Sequence, residues 1–170
     1  MNGKPDKSIS HAKETYERLY KIGDVLYNDY DSKAEDLPNL MTLLSSGCIF
    51  IKYIGVTCLR FTLYKFCKLL QGDLFFNKEF VGALVGQMTN EDNVLIANEF
   101  ANCVSSIAKT ERGVALTNLV RECHYPVASI LSIQKAARDY HTYARNEKIR
   151  DSFIELITTN LWTIGILCAE

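Results

Sequence analysis

The segment from Glu79 to Gly113, EFVGALVGQMTNEDNVLIANEFANCVSSIAKTERG, decides how this chain folds. It consists of two apolar-rich stretches joined by a polar tip, and apolar residues recur in it every three or four positions, as in a helix. In the second stretch they form two stripes: Val94, Ala97, Ala101, Val104 and Ala108, then Ile96, Phe100, Cys103 and Ile107. A helix at the surface of a bundle needs only one such stripe. The segment therefore predicts a helix sandwiched between neighbours, as in a stack of helical hairpins.

The rest of the chain carries the same periodicity and few residues that break helices. Only three prolines and nine glycines punctuate it, which favours long helices over many short strands. We predict helices at 10–28, 38–46, 49–70, 78–88 and 91–109, a short one between 113 and 122, and two more at 126–141 and 146–167. Asn77 and Asn90 are the predicted N-caps of the helices that follow them. The β-branched start of residues 49–70 leaves a strand open as the alternative there.

The last predicted helix repeats the double stripe of the central segment. Its apolar residues are Ile149, Phe153, Ile157, Leu161 and Ile164 on one side and Ile154, Trp162 and Ile166 on others. We therefore expect both Phe100 and Leu161 to be buried. Alanine at either position should then cost roughly 2–5 kcal/mol.

Length and composition indicate one domain. The chain has 170 residues and is 48% hydrophobic, which is enough for a core. The predicted division is a flexible N-terminus at 1–9 and a single all-α domain of about three helical repeats at 10–170. Its net charge of −1 gives no overall attraction to nucleic acid or membrane. The longest apolar stretch, Cys48–Phe61, falls short of the roughly 20 residues that a spanning helix needs, so we expect no membrane span.

Six cysteines are spread along the chain. Five of them lie in apolar helical runs, where a free thiol behaves as a small hydrophobe: Cys48, Cys58, Cys67, Cys103 and Cys168. This placement predicts reduced, mostly buried thiols and therefore an intracellular protein, cytoplasmic or nuclear.

Three segments late in long helices can be aligned with one another: TLYKFC (62–67), CVSSIA (103–108) and ITTNLW (157–162). Lys65 and Ser106 are 41 positions apart, and Ser106 and Asn160 are 54 apart. The pattern resembles the armadillo repeat, which has a period of about 42 residues. In that family the third helix is long and ends near Asn-Leu-Ala. The resemblance is best from Phe80 to Gly113.

This resemblance implies a short armadillo-like or HEAT-like solenoid that acts as a non-catalytic adaptor or scaffold for a protein or peptide partner. The family's ladder asparagine is matched by Asn160, while Lys65 and Ser106 occupy the corresponding places. With Asn102 and Asn98, one and two turns before Ser106, they are the predicted partner-binding residues. The exposed end helices should be covered by a second copy, giving a homodimer, or by another protein.

A basic, tyrosine-containing segment offers a second candidate surface. Its basic residues are Lys135, Arg138, Arg145, Lys148 and Arg150. Arg138 and Arg145 are predicted to bind an acidic protein partner, whereas nucleic acid is not expected as a ligand. Glu147, Asp151 and Glu155 share one helical face and predict a solvated or partner-facing stripe.

Catalytic chemistry has one candidate pair, the adjacent Cys123 and His124, with His141 as a possible third member. Neighbouring side chains on a helix point about 100° apart, so the pair does not face itself. No metal-binding spacing, glycine-rich phosphate loop or serine elbow is present, so we expect no enzyme, metal or cofactor. Two alternatives remain open: a Bcl-2-like bundle that binds an amphipathic helix but lacks that family's Asn-Trp-Gly-Arg motif, and a cysteine-dependent helical enzyme.

Overall fold

The structure, a computed structural model, describes residues 7–70, 77–109, 120–143 and 146–169. The main elements are α1 (Lys7–Asp29), a 3₁₀ helix (Ala34–Asp36), α2 (Leu37–Leu43), α3 (Ile49–Leu70), α4 (Lys78–Asn90), α5 (Val94–Ala108), α6 (Tyr125–Tyr143) and α7 (Glu147–Cys168). Residues 120–122 are also helical, and these described ranges contain no strand, so the predicted all-α class is confirmed. None of the helices described is both long and apolar enough to cross a membrane.

The helix boundaries follow local signals in the sequence. Asn77 caps α4 as predicted, because its side chain accepts a hydrogen bond from the Phe80 amide at 2.9 Å. Pro38 lies in the first turn of α2, where its missing amide hydrogen costs nothing. α1 begins at Lys7, inside the segment predicted to be flexible. The short helix predicted between 113 and 122 lies mostly outside the described residues.

The predicted cap of α5 is wrong. Asn90 is the last residue of α4, and Asn93 caps α5 by accepting hydrogen bonds from the amides of Leu95 (3.0 Å) and Ile96 (3.4 Å). The Glu91 carboxylate accepts from the amide of Asn93 at 3.1 Å and holds the connection in a non-helical form. The acidic residues at the tip therefore build a reversal of the chain and not the first helical turn.

The possible strand at the start of residues 49–70 is also excluded. The whole segment is α3, with the predicted bounds. Its buried side chains recur at helical spacing and include Tyr53, Val56, Leu59, Leu63 and Cys67. Burial along a 22-residue helix outweighs the weak strand preference of its β-branched start.

Helices α3, α5 and α7 lie side by side in a row. Lys52 binds Glu91 at 3.1 Å and Arg60 binds Glu99 at 2.6 Å, so α3 and α5 run parallel. Thr159 of α7 donates a hydrogen bond to the Asn102 side chain at 3.3 Å. Each of these three helices also packs against the shorter helix before it, and α4 packs against α6. Beside α1, the described part of the chain thus contains three neighbouring hairpins, α2–α3, α4–α5 and α6–α7.

The central position of α5 explains its composition. Every residue of α5 except Asn102 and Ser106 is buried, and Phe100 is fully buried. The two apolar stripes of this helix are needed because neighbours cover it from several directions. The prediction of a sandwiched helix is confirmed for α5.

The same prediction is wrong for α7. One face of α7 is buried, through Ile149, Ser152, Leu156, Asn160, Thr163 and Leu167. Leu161 is 59% exposed, so the expected loss of stability in Leu161→Ala no longer follows. The reason is position, because α7 lies at the edge of the row and the described helices α5 and α6 pack against its buried side.

Helix α1 connects the two ends of the row. The Tyr20 hydroxyl donates to the Lys148 carbonyl of α7 at 2.5 Å, and the Tyr30 hydroxyl lies 3.3 Å from the Thr62 hydroxyl of α3. A Cβ at Gly23 would come within 2.6 Å of the Tyr53 hydroxyl, so glycine allows α1 to approach α3 this closely. α1 therefore holds the first and last hairpins together.

The six cysteines are all free thiols, as predicted. Cys58, Cys67 and Cys103 are buried, but Cys48 and Cys168 are exposed, contrary to expectation. Both exposed residues lie at helix ends, Cys48 just before α3 and Cys168 at the last position of α7. Apolar neighbours in the sequence do not bury a residue at the end of a helix, where fewer elements surround it.

Candidate functional site: the exposed face of α7

The outer side of α7 carries large apolar side chains in contact with solvent. Ile154 is 52% exposed, Leu161 is 59% exposed and Trp162 is 48% exposed. With the exposed residues Thr158 and Gly165 they form a continuous surface, which we call the α7 face. Contiguous exposed apolar side chains are typical of interaction sites, whereas isolated ones are ordinary.

The C-terminal half of the α7 face is shallowly concave. The groove there is lined by Thr158, Leu161, Trp162, Gly165, Ile166 and Ala169. A Cβ placed on Gly165 would touch nothing within 4 Å, so the backbone of α7 is open to a close neighbour at this point. Such a shape suits the side chains of another protein better than an enclosed small molecule.

Trp162 is held in place by a cation from the neighbouring helix. The ammonium of Lys109, just past the end of α5, lies 3.8 Å from the centre of the Trp162 ring. This is a cation–π contact, and it fixes the indole with one ring face covered. Partial burial lowers the pKa of Lys109. The pair places a positive charge beside the apolar groove.

The N-terminal half of α7 is acidic. Glu147, Asp151 and Glu155 are all exposed, in agreement with the predicted solvated or partner-facing stripe. Arg150 lies 3.5 Å from the carboxylates of both Glu147 and Asp151, and neutralises part of this charge. Glu155 lies one turn further on, next to the apolar part of the α7 face. The helix surface thus changes from acidic to apolar and basic along its length.

The predicted partner-binding residues do not form one surface. Lys65 is exposed and binds Asp31 at 3.4 Å. Ser106 is half-buried and donates to the carbonyl of Asn102 at 2.9 Å. Asn160 is fully buried, where it accepts a hydrogen bond from the Tyr125 hydroxyl at 2.8 Å. The three positions of the 41- and 54-residue register therefore range from solvent to core, and the prediction that they share an exposed face is wrong.

The two asparagines of α5 lie at the boundary with α7. Asn98 is only 2% exposed, so the prediction that it faces a partner is wrong. Asn102 is half-buried, and its side-chain oxygen accepts the hydrogen bond from Thr159. The periodicity of α5 did not show this, because an amide on an apolar helix can face solvent or a polar neighbour. Here α7 supplies the polar neighbour.

The basic segment contributes less surface than predicted. Arg138 is exposed on α6, while Arg145 lies outside the described residues. Lys135 is engaged in holding hairpins together, since its ammonium lies 2.8 Å from the Asp92 carboxylate and 2.7 Å from the Asn90 carbonyl. Some side chains of this charged segment therefore pack against the fold, and others face solvent.

Cys123 and His124 lie at the corner before α6. His124 has a φ of 55°, a left-handed conformation that turns the chain into α6. The Cys123 thiol lies 3.7 Å from the Lys78 carbonyl, and burial raises its pKa. A nucleophilic cysteine needs the opposite shift. The described part of the chain holds no cluster of His, Cys, Asp or Glu that could bind a metal ion, and the side chain of His141 is not among the described ones.

Sequence reasoning missed the residues of the α7 face as a group. The available signal was the spacing of Ile154, Thr158, Leu161 and Gly165, which recurs by four, three and four positions. Searches for related protein families, curated proteins and solved structures found no match to this chain. The armadillo resemblance accordingly stays a prediction.

Proposed function

We propose that this protein is a non-catalytic interaction module that binds a protein partner through the α7 face. The observation that carries the proposal is the exposure of Ile154, Leu161 and Trp162 together on one side of the last long helix. Because these side chains are already about half buried, covering the rest gains about half of the full-burial value, or roughly 1 kcal/mol each. A partner that covers them would therefore gain binding energy that the isolated chain leaves unused.

The architecture supports this function. The three hairpins pack in sequence order, which supports an armadillo-like or HEAT-like stack as the architecture. In such a stack neighbouring repeats cover one another, and the described residues leave the outer side of α7 uncovered. An apolar outer surface on that helix is then a binding surface, whereas a repeat that only caps a stack has a polar outer surface.

Site-specific photo-crosslinking tests the proposal. We would place a photoreactive phenylalanine derivative at Thr158 in the α7 face and, as the matched control, at Thr42 in α2. Both threonines are exposed, and the hydroxyl of each donates to a carbonyl of its own helix. We expect a protein adduct from position 158, absent at position 42 and lost when Leu161→Asp is added.

The adduct is identified by mass spectrometry and its affinity for the purified chain is then measured. We expect Trp162→Ala to weaken binding by about tenfold or more, as at an aromatic anchor. Equal adducts from both positions, or no adduct from position 158, would contradict the proposed function.

A further inference from the structure

The exposed side of α7 has the spacing of a helix–helix seam. Ile154, Thr158, Leu161 and Gly165 are separated by four, three and four residues, the pattern that keeps one face of a helix in contact with a second helix. The opposite side of α7 already forms such a seam with the core, through residues that include Ile149, Leu156 and Leu167. α7 is thus built to pack on both sides, but the described chain covers only one.

The charges beside this seam indicate which helix would complete it. Glu155 and Trp162 are seven residues apart, so they lie on the same side of α7 about two turns from each other. Lys109 lies against Trp162 and brings a positive charge to that end. The surface therefore carries an acidic end and a basic end, with apolar side chains between them.

We propose that the α7 face binds a second copy of this chain, with the two α7 helices antiparallel across a two-fold axis. The inference rests on the proposed function, since it names the occupant of the same face. If the axis passes between Thr158 and Thr159, residue 162 of one copy lies opposite residue 155 of the other. Lys109 of each copy then faces Glu155 of the other, which gives two symmetric charge pairs.

The apolar side chains fit the same arrangement. With that axis, Leu161 of one copy lies between Ile154 and Thr158 of the other, and Ile154 lies between Leu161 and Gly165. The open backbone at Gly165 leaves room for this insertion. A parallel pairing would instead place Glu155 level with residue 155 of the other copy, about two turns from Lys109, so these charge pairs would not form. The self-complementary surface is what a closed dimer requires.

Sedimentation equilibrium of the full chain tests the dimer. We expect the wild type to associate with a Kd in about the micromolar range, and Leu161→Asp to weaken association by about a hundredfold. Leu69→Asp is the matched control, because Leu69 is an exposed leucine of α3, remote from the α7 face, with 78% exposure. It should leave the dimer unchanged.

A charge exchange tests the orientation. Glu155→Lys and Lys109→Glu should each weaken the dimer by about tenfold, and the double variant should restore it, since both pairs are then reversed. Circular dichroism confirms that each variant is folded. A double variant no better than the single ones would overturn the antiparallel arrangement.

The outcomes separate this inference from the proposed function. A wild type that stays monomeric up to about 100 µM overturns the dimer, and so does a dimer that survives Leu161→Asp. If position 158 then still cross-links to a different protein, the proposed function stands and only the identity of the occupant is wrong. A cross-link at position 158 between two copies supports both.

Discussion

The two sides of α5 differ in chemistry, although both pack against a long parallel helix. On the side of α3 the contact combines an apolar stripe with the Arg60–Glu99 ion pair. The Cys103 thiol lies 3.8 Å from the Val56 carbonyl, and Ile96, Phe100 and Ile107 on the same stripe are fully buried. On the side of α7 the contact is polar, since Asn102 binds Thr159 there. Asn98 and Ser105 lie one turn to either side of Asn102.

The polar groups on the buried face of α7 find partners in α7 itself, in α1 and in α6. Ser152 donates to the Lys148 carbonyl at 2.9 Å, and Thr163 donates to the Thr159 carbonyl at 2.8 Å. Asn160 donates to the Leu156 carbonyl at 2.8 Å. These hydroxyl and amide groups of α7 are therefore satisfied by groups outside α5.

The polar groups of α5 find fewer hydrogen-bond partners. The Asn98 side-chain oxygen, the Asn102 side-chain nitrogen and the Ser105 hydroxyl are buried and have no hydrogen-bond partner among the described residues. Each such group costs about 1–3 kcal/mol relative to a satisfied one. Three unsatisfied polar groups of α5 thus lie near its boundary with α7, and α3 carries one at the Thr57 hydroxyl. A partner that covers the apolar outer side of α7 would add stabilising contacts that the inner side lacks.

The largest change in the free energy of unfolding is expected on the side of α5 that faces α3. Phe100→Ala removes a fully buried ring from the stripe that faces α3 and should lower the free energy of unfolding by about 3–5 kcal/mol. Leu161→Ala, on the exposed side of α7, should change it by no more than about 0.5 kcal/mol. Urea denaturation followed by circular dichroism measures both.

Two results would break this contrast. A small loss in Phe100→Ala would mean that the α3 side is not the stable one. A loss in Leu161→Ala that grows with protein concentration would instead reveal the dimer, because stability is then linked to association.

The second effect concerns the ion pair that bridges α3 and α5 and lies near α7. Burial raises the pKa of Glu99 to about 7, with Arg60 opposing the shift and Glu155 of α7 adding to it. A glutamate in the unfolded chain titrates near about 4.3. Between these values the folded protein keeps a proton that the unfolded chain has released, so stability is highest at the acidic end and falls as the pH rises through 7.

We therefore expect the free energy of unfolding to fall by on the order of 1–3 kcal/mol between about pH 5 and pH 7.5. Glu99→Gln cannot titrate and should remove this decline. Denaturation of both proteins across the pH range measures the difference. A constant difference between them would show that Glu99 does not titrate in that interval.

The smallest change in the free energy of unfolding is expected on the side of α5 that faces α7. Ser105→Ala removes a buried hydroxyl that has no partner, so the protein should be unchanged or more stable by up to about 1 kcal/mol. Ser152→Ala is the matched control, since that hydroxyl is buried and hydrogen-bonded; it should lose about 0.5–1.5 kcal/mol. If Ser105→Ala loses as much as the control, a partner of the Ser105 hydroxyl has been missed and the two boundaries are more alike than they look.

Much of the fold could be predicted from the sequence because it depends on local signals. The bounds of α3 and the cap at Asn77 follow from residues close together in the chain, and the double stripe of α5 predicted its burial. The cap of α5 was misplaced by three residues, since Asn90 and Asn93 are equally good capping residues. Only the hydrogen bonds of Glu91, which hold the tip out of the helix, decide between them.

The candidate site was less predictable, and α7 shows why. Apolar residues occur on several sides of α7 as they do on α5, yet Phe100 is fully buried and Leu161 is mostly exposed. A periodic pattern records which faces of a helix are apolar, but not how many neighbours the helix has. The sequence by itself determined the all-α class, most helices and their apolar faces, because these depend on contacts within a few residues. The tertiary structure alone decided that α5 lies in the middle of the row and α7 at its edge, because burial depends on helices that are distant in the chain.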